Sequence, residues 1–192
     1  DGPDTEFRCF AASAEATYPS LRKMVWHNFD LLKQALKLDQ EAGFENCPHA
    51  TDLINRSLPK KFDIMRVHVG GDFFSKRYLQ AWVDVARQNP DKVFYAYSKS
   101  LNFFLEWALP SNLVLTASRG GKYDELIDVA GWKEAVVVYS EQEAIDKGLE
   151  IDHDDTHAAF GKENFALLIH GTQPAGSMAS KALQILKRKV AA

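Results

Sequence analysis

Five short stretches place glycine or polar residues directly after an apolar run: Gly70-Gly71-Asp72, Tyr97-Ser98-Lys99, Ser118-Arg119-Gly120-Gly121, Tyr139-Ser140-Glu141 and His170-Gly171-Thr172. Glycine lets backbone N–H groups approach a phosphate, a carboxylate or an amine-bearing ligand with no side chain between. Two of the stretches carry a Gly-Gly pair, one beside Asp72 and one beside Arg119, although a tight strand-to-helix turn uses the same residues. Lys99 and Arg119 are cations suited to an anionic substrate, and each also suits a solvated or ion-paired surface position. A separate group, IDHDDTHAAF, holds His153, Asp154, Asp155 and His157. Its histidines are four residues apart and would share a helical face, a spacing open to a divalent metal with His170 as a further ligand. A capped helix start accounts for the same acidic residues.

The elements that must position these groups alternate. Apolar runs IMRVHV (64–69), VFYAY (93–97), LVLTAS (113–118), AVVVYS (135–140) and FALLIH (165–170) read as strands. Between them KRYLQAWVDVARQNP, LNFFLEWALP, KYDELIDVAG and EQEAIDKG read as helices closed by proline or glycine. Alternation of this kind implies an α/β fold with a parallel sheet and right-handed crossovers. An open doubly wound sheet and part of a β/α barrel both fit, with five clear strands and a sixth expected upstream. In either, ligands bind at the carboxyl ends of the strands, where the five polar stretches fall. Upstream, PSLRKMVWHNFDLLKQALKL reads as a long amphipathic helix and residues 43–59 as irregular or one short helix. SMASKALQILKRKVAA reads as a terminal helix whose basic end opposes its dipole.

The 192 residues, 46% hydrophobic and 26% charged, suit one β/α domain over residues 1–192. A formal net charge of -3 gives no overall pull toward nucleic acid, which is not expected as a main partner. No apolar stretch reaches membrane-spanning length and no signal peptide is evident, so no membrane partner and a cytoplasmic location are expected. Two cysteines, Cys9 and Cys47, form neither a disulfide framework nor a complete metal site. The chain starts without methionine at DGPDTE, and we expect an N-terminal segment ahead of Asp1 in a longer gene product.

RVHVGGDFFSKRYLQAWVDVARQNPDKVFYAYSKSL, with FRCFAASAEATYPSLRKMVWHNFDLLK before it and LLIHGTQPAGSMASKALQILK at the end, resembles the "gene product eighty-eight" family of bacteriophage and mobile-element proteins. That family is in turn distantly similar to the radical S-adenosylmethionine superfamily. The resemblance implies a partial (β/α) barrel of about six strands. It places Gly70, Gly71 and Asp72 around the amino group of S-adenosylmethionine, with Asp in place of the usual Glu. Ser118 or Arg119 would lie near the ribose or carboxylate, and Lys99 and His170 would line the same end. Cys9 would match the last of three cysteines that hold a 4Fe-4S cluster. Such a cluster needs three thiolates, so either its other ligands precede Asp1 or there is no cluster.

These readings make the chain a phage-encoded radical S-adenosylmethionine-like protein of unknown substrate, in the cytoplasm of the infected bacterium. A non-enzymatic binding module on a degenerate barrel, docking a host or phage protein, is the alternative. A metal-dependent hydrolase using His153, Asp155 and His157 ranks third.

Overall fold

The computed structural model describes residues 7–190. Three helices come first: α1 (Phe10–Thr17), α2 (Pro19–Glu41) and α3 (Pro48–Ser57). Pro19 and Pro48 stand in the first turns of α2 and α3, where a missing N–H leaves no bond unmade. The buried carboxylate of Asp39, late in α2, accepts the backbone N–H groups of His49 and Ala50. It thereby satisfies two of the donors that every helix start leaves over, and fixes α3 against α2. The region 43–59 therefore holds one helix.

Strands and helices then alternate as β1 (Ile64–Arg66), α4 (Lys76–Gln88), β2 (Val93–Ser98), β3 (Leu113–Ser118), α5 (Glu125–Ala130), β4 (Glu134–Val138), α6 (Glu141–Asp146), β5 (Glu150–Ile151), α7 (Thr156–Phe160), β6 (Phe165–Leu168) and α8 (Met178–Val190). All pairings are parallel, in the order β1-β2-β3-β4-β6-β5, and the sheet curls into a half barrel. The sixth strand is not upstream, as the sequence reading had it; it is β5, two residues long and announced by no apolar run. LNFFLEWALP forms a single 3-10 turn, Leu101–Phe103, because Leu101 and Phe104 are drawn into the core and Pro110 ends the segment.

Successive strand residues face opposite sides. Phe94, Ala96 and Leu113 point outward into a core shared with Phe73, Leu79, Val83 and Trp82 of the helical layer. Tyr95, Tyr97 and Val114 point into the concave side with Ala135 and Phe165, where Ala158 and Ala159 of α7 pack on them.

The sheet is uneven. β2 and β3 share five rungs, whereas β3 and β4 share two, Ala117 with Glu134 and Ser118 with Ala135. β4 thus starts where β3 ends, and α7 fills the space beside the lower part of β3. Three contacts seat α7. Asp152, buried ahead of it, accepts the N–H of Ala158. The Lys133 ammonium donates to the carbonyls of His157, Ala158 and Gly161 at its end. Gly161 closes it so tightly that a Cβ there would stand 2.7 Å from the His157 carbonyl oxygen. Among the described residues no helix is long and apolar enough to cross a membrane.

Candidate functional site

The turn after β1 presents Gly70 and Gly71 to solvent, Gly71 with φ +88° in the left-handed region that favours glycine. Among the described residues neither glycine donates its backbone N–H to a partner. Asp72 differs. Its Oδ1 accepts the Ser98 hydroxyl and the Phe73 N–H, and its Oδ2 accepts the N–H groups of Lys99 and Ser100. The carboxylate is therefore the tie between the ends of β1 and β2, and it leaves the glycine backbone as the exposed part of the turn.

Lys99 reaches from the end of β2 to the end of β3, where its ammonium donates to the carbonyls of Ser118 and Arg119. Burial lowers its pKa from the ordinary lysine value, against the opposing pull of Asp124, Cys9 and Asp72. The second Gly-Gly pair is internally satisfied, because both its N–H groups donate to the Asp124 carboxylate. A side chain at Gly121 would meet the Lys99 stem at 3.1 Å, so glycine there makes room for the lysine. Arg119 turns away to Glu134 and Asp128.

The segment leading into α1 lies across these strand ends. Arg8 and Gln173 bond reciprocally, the Arg8 N–H to the Gln173 side-chain oxygen at 2.7 Å and the Gln173 amide back to the Arg8 carbonyl at 2.9 Å. Gln173 also donates to the carbonyl of His170, and the Ser13 hydroxyl donates to that of Thr172. Ala11 approaches so closely that a Cβ on Gly70 would be 3.1 Å from its own. Half-buried Cys9 stands at the N-cap position of α1, without a side-chain capping bond, within electrostatic range of Lys99. Cys9, Gly70, Gly71, Lys99, Ser118 and His170 thus share the carboxyl end of the sheet.

Other candidates lie elsewhere. Cys47 is buried at the start of α3, where burial pushes its thiol up to about 11. His157 faces Glu150 at 3.5 Å and Asp155 bonds to tyrosines, and the described residues contain no group of three or more His, Cys, Asp or Glu able to hold a metal. His68 packs on Phe73 and Tyr78, and burial lowers its pKa to about 4, so the ring is neutral.

One cluster was not foreseen. Asp155 accepts the hydroxyls of Tyr95 and Tyr97 at 2.8 Å each and Arg66 Nη1 at 3.1 Å, and the Arg66 guanidinium lies over the Tyr97 ring at 4.7 Å. The i, i+2 spacing of two tyrosines in a strand announces a shared face; nothing local announces Asp155. A cleft of about 630 Å3 opens at the opposite end, by the start of β4 and β5, lined by Trp132, Glu134, Glu150 and His157. It is distinct from the strand-end cluster.

The fold and the placement of these groups define a parallel β/α half barrel with its polar residues gathered at the carboxyl ends of the strands. The chain belongs to the Gene product 88 family, which it matches over residues 5–188. It is 32% identical over 161 residues to the Gene 88 protein of Mycobacterium phage L5 and 30% identical over 161 residues to that of Mycobacterium phage D29. Each match covers 82% of this chain and 60% of the relative, so the chain spans less than two thirds of their length. No solved structure matches the chain.

Proposed function

We propose that this half barrel binds a small-molecule cofactor at the carboxyl ends of its strands, with S-adenosylmethionine as the ligand. The observation that carries the reading is the meeting of Cys9, the exposed Gly70-Gly71 backbone, Lys99 and Ser118 beneath the segment that enters α1. The glycine turn offers open backbone to the amino acid part of the ligand. Asp72 acts on it as a positioning residue that holds the turn, since both its oxygens already have partners.

A 4Fe-4S cluster fits these residues poorly. It needs three thiolates, and Cys9 is the one thiol the described residues bring to this end. No step is therefore routed through a cluster. The second reading, a binding module for a host or phage protein, draws support from Asp72, Arg119, Gly120 and Gly121 having their polar groups satisfied internally.

Calorimetric titration of the chain with S-adenosylmethionine separates the two. Saturable binding, weakened tenfold or more by Gly71→Asn, supports the cofactor site. Asn is among the side chains that best tolerate a positive φ and the space around Gly71 is open, so the variant covers the turn, its fold being checked by circular dichroism. A heat-silent titration of folded protein retires the cofactor reading.

A further inference from the structure

Arg66 is the last residue of β1, an edge strand, and its side chain points to the concave side of the half barrel beneath the Gly70-Gly71 turn. Its guanidinium is fixed at three places. Nε donates to the His68 carbonyl at 2.9 Å, Nη1 donates to Asp155 Oδ2 at 3.1 Å, and Cζ lies over the Tyr97 ring at 4.7 Å from its centroid. Arginine and carboxylate frequently pair through two parallel bonds. Here Nη1 alone bonds the carboxylate, whose Oδ1 accepts the Tyr97 hydroxyl and whose Oδ2 also accepts that of Tyr95.

The consequence is an arginine held in one pose with Nη2 free of any acceptor among the described residues, on a side chain 27% exposed. Arginine stays charged at all working pH values, and its planar fork matches oxyanions. Asp155 supplies the alignment and adopts φ +65°, a conformation few non-glycine residues take unless the surroundings impose it.

We propose that Arg66 is an oxyanion-binding residue on the inner face of the half barrel, taking the carboxylate or phosphate of a small molecule, with Asp155, Tyr95 and Tyr97 as its positioning residues. This site does not depend on S-adenosylmethionine binding at the strand ends, and it stands or falls by a different measurement.

The test is a nuclear magnetic resonance titration of the chain with succinate in one arm and inorganic phosphate in the other, at constant ionic strength against chloride. The Arg66 Nε–H and Tyr97 ring signals are followed. A saturable shift in either arm, absent with chloride and lost in Arg66→Met, supports the proposal, and the responding arm names the oxyanion. Shifts that match chloride in both arms, or that persist in Arg66→Met, overturn it. Should Arg66→Met not fold, Arg66→Lys decides. It keeps the charge but loses the planar fork, so affinity at least fivefold weaker supports the proposal and unchanged affinity overturns it.

Discussion

The carboxylate of Asp72, in the turn after β1, accepts the backbone N–H of Lys99, the first residue past β2, at 2.7 Å. With Ser98, Ser100 and Phe73 as further donors, this one side chain replaces the ladder where β1 has already ended. Asp72→Ala leaves several part-buried donors without partners, and each such loss costs about 1 kcal/mol or more. We expect unfolding in urea to show a loss of about 2–4 kcal/mol, with Asp72→Asn intermediate. Amide exchange at Lys99 and Ser100 should accelerate in both variants. Unchanged exchange there would show that the tie is dispensable.

Asp155→Asn should also destabilise, by about 2 kcal/mol, since hydrogen bonds to a charged group are among the stronger ones. Burial raises the pKa of Asp155, but the Tyr97, Tyr95 and Arg66 interactions outweigh it and hold the carboxyl below its ordinary value. A carboxylate with a depressed folded pKa contributes stability that is present above its unfolded value of 3.8 and lost as pH falls through the folded one. The wild-type advantage over Asp155→Asn, measured by denaturant midpoint, should therefore shrink only in strong acid.

His68 acts in a milder window. Burial keeps it neutral down to about 4, whereas in the unfolded chain it takes a proton near 6.5. The unfolded state then binds more protons between those values, so stability must fall as pH drops from about 6.5 to about 4, by at most about 1.4 kcal/mol per pH unit. His68→Phe keeps the packing against Phe73 and Tyr78 and should remove that slope. A variant with the wild-type slope would assign it to other groups.

At the end of α7, Gly161→Ala would force a methyl group to 2.7 Å from the His157 carbonyl, which is backbone and cannot step aside cheaply. Lys133→Met would leave the carbonyls of His157, Ala158 and Gly161 without their cation. Each change should cost about 1–3 kcal/mol in thermal or chemical unfolding. An unaffected Lys133→Met protein would mean that water replaces the ammonium.

Thiol titration provides an independent check on the placement of α1 and α3. Cys9 is half-buried and Cys47 fully so, its thiol pushed up by burial to about 11. One equivalent should react with a disulfide reagent in the folded protein and a second only after denaturation. Rapid reaction of both would contradict the packing of α3.

Much of the strand layout was legible because β2, β3, β4 and β6 are apolar runs bounded by turn residues, and β3 matches its run in full. β5 was not legible. Glu150 and Ile151 pair with Phe165 and Ala166 because β6 has a free edge there, a tertiary reason with no local signature. The strand-end cluster could be located from strand ends alone, but what each member does there could not. Arg119 and Asp72 look alike in sequence as charged residues beside Gly-Gly, yet one turns to Glu134 and Asp128 and the other ties two strands together. The Arg66–Asp155 pairing crosses 89 residues and joins the end of β1 to the start of α7, beyond the reach of any local pattern.

Because the inner face of β2 and β3 is covered by α7 and not by a neighbouring strand, its burial comes late in synthesis. Tyr95 waits for a partner 60 residues further along the chain, and until residues 152–161 have left the ribosome the inner face of β1–β3 has no α7 to cover it. A nascent chain stalled before that point would carry a row of tyrosine and valine side chains bare to solvent, a natural target for chaperones. Release of the α7 segment covers that face, and the half barrel is finished when β6 follows and pairs with both β4 and β5.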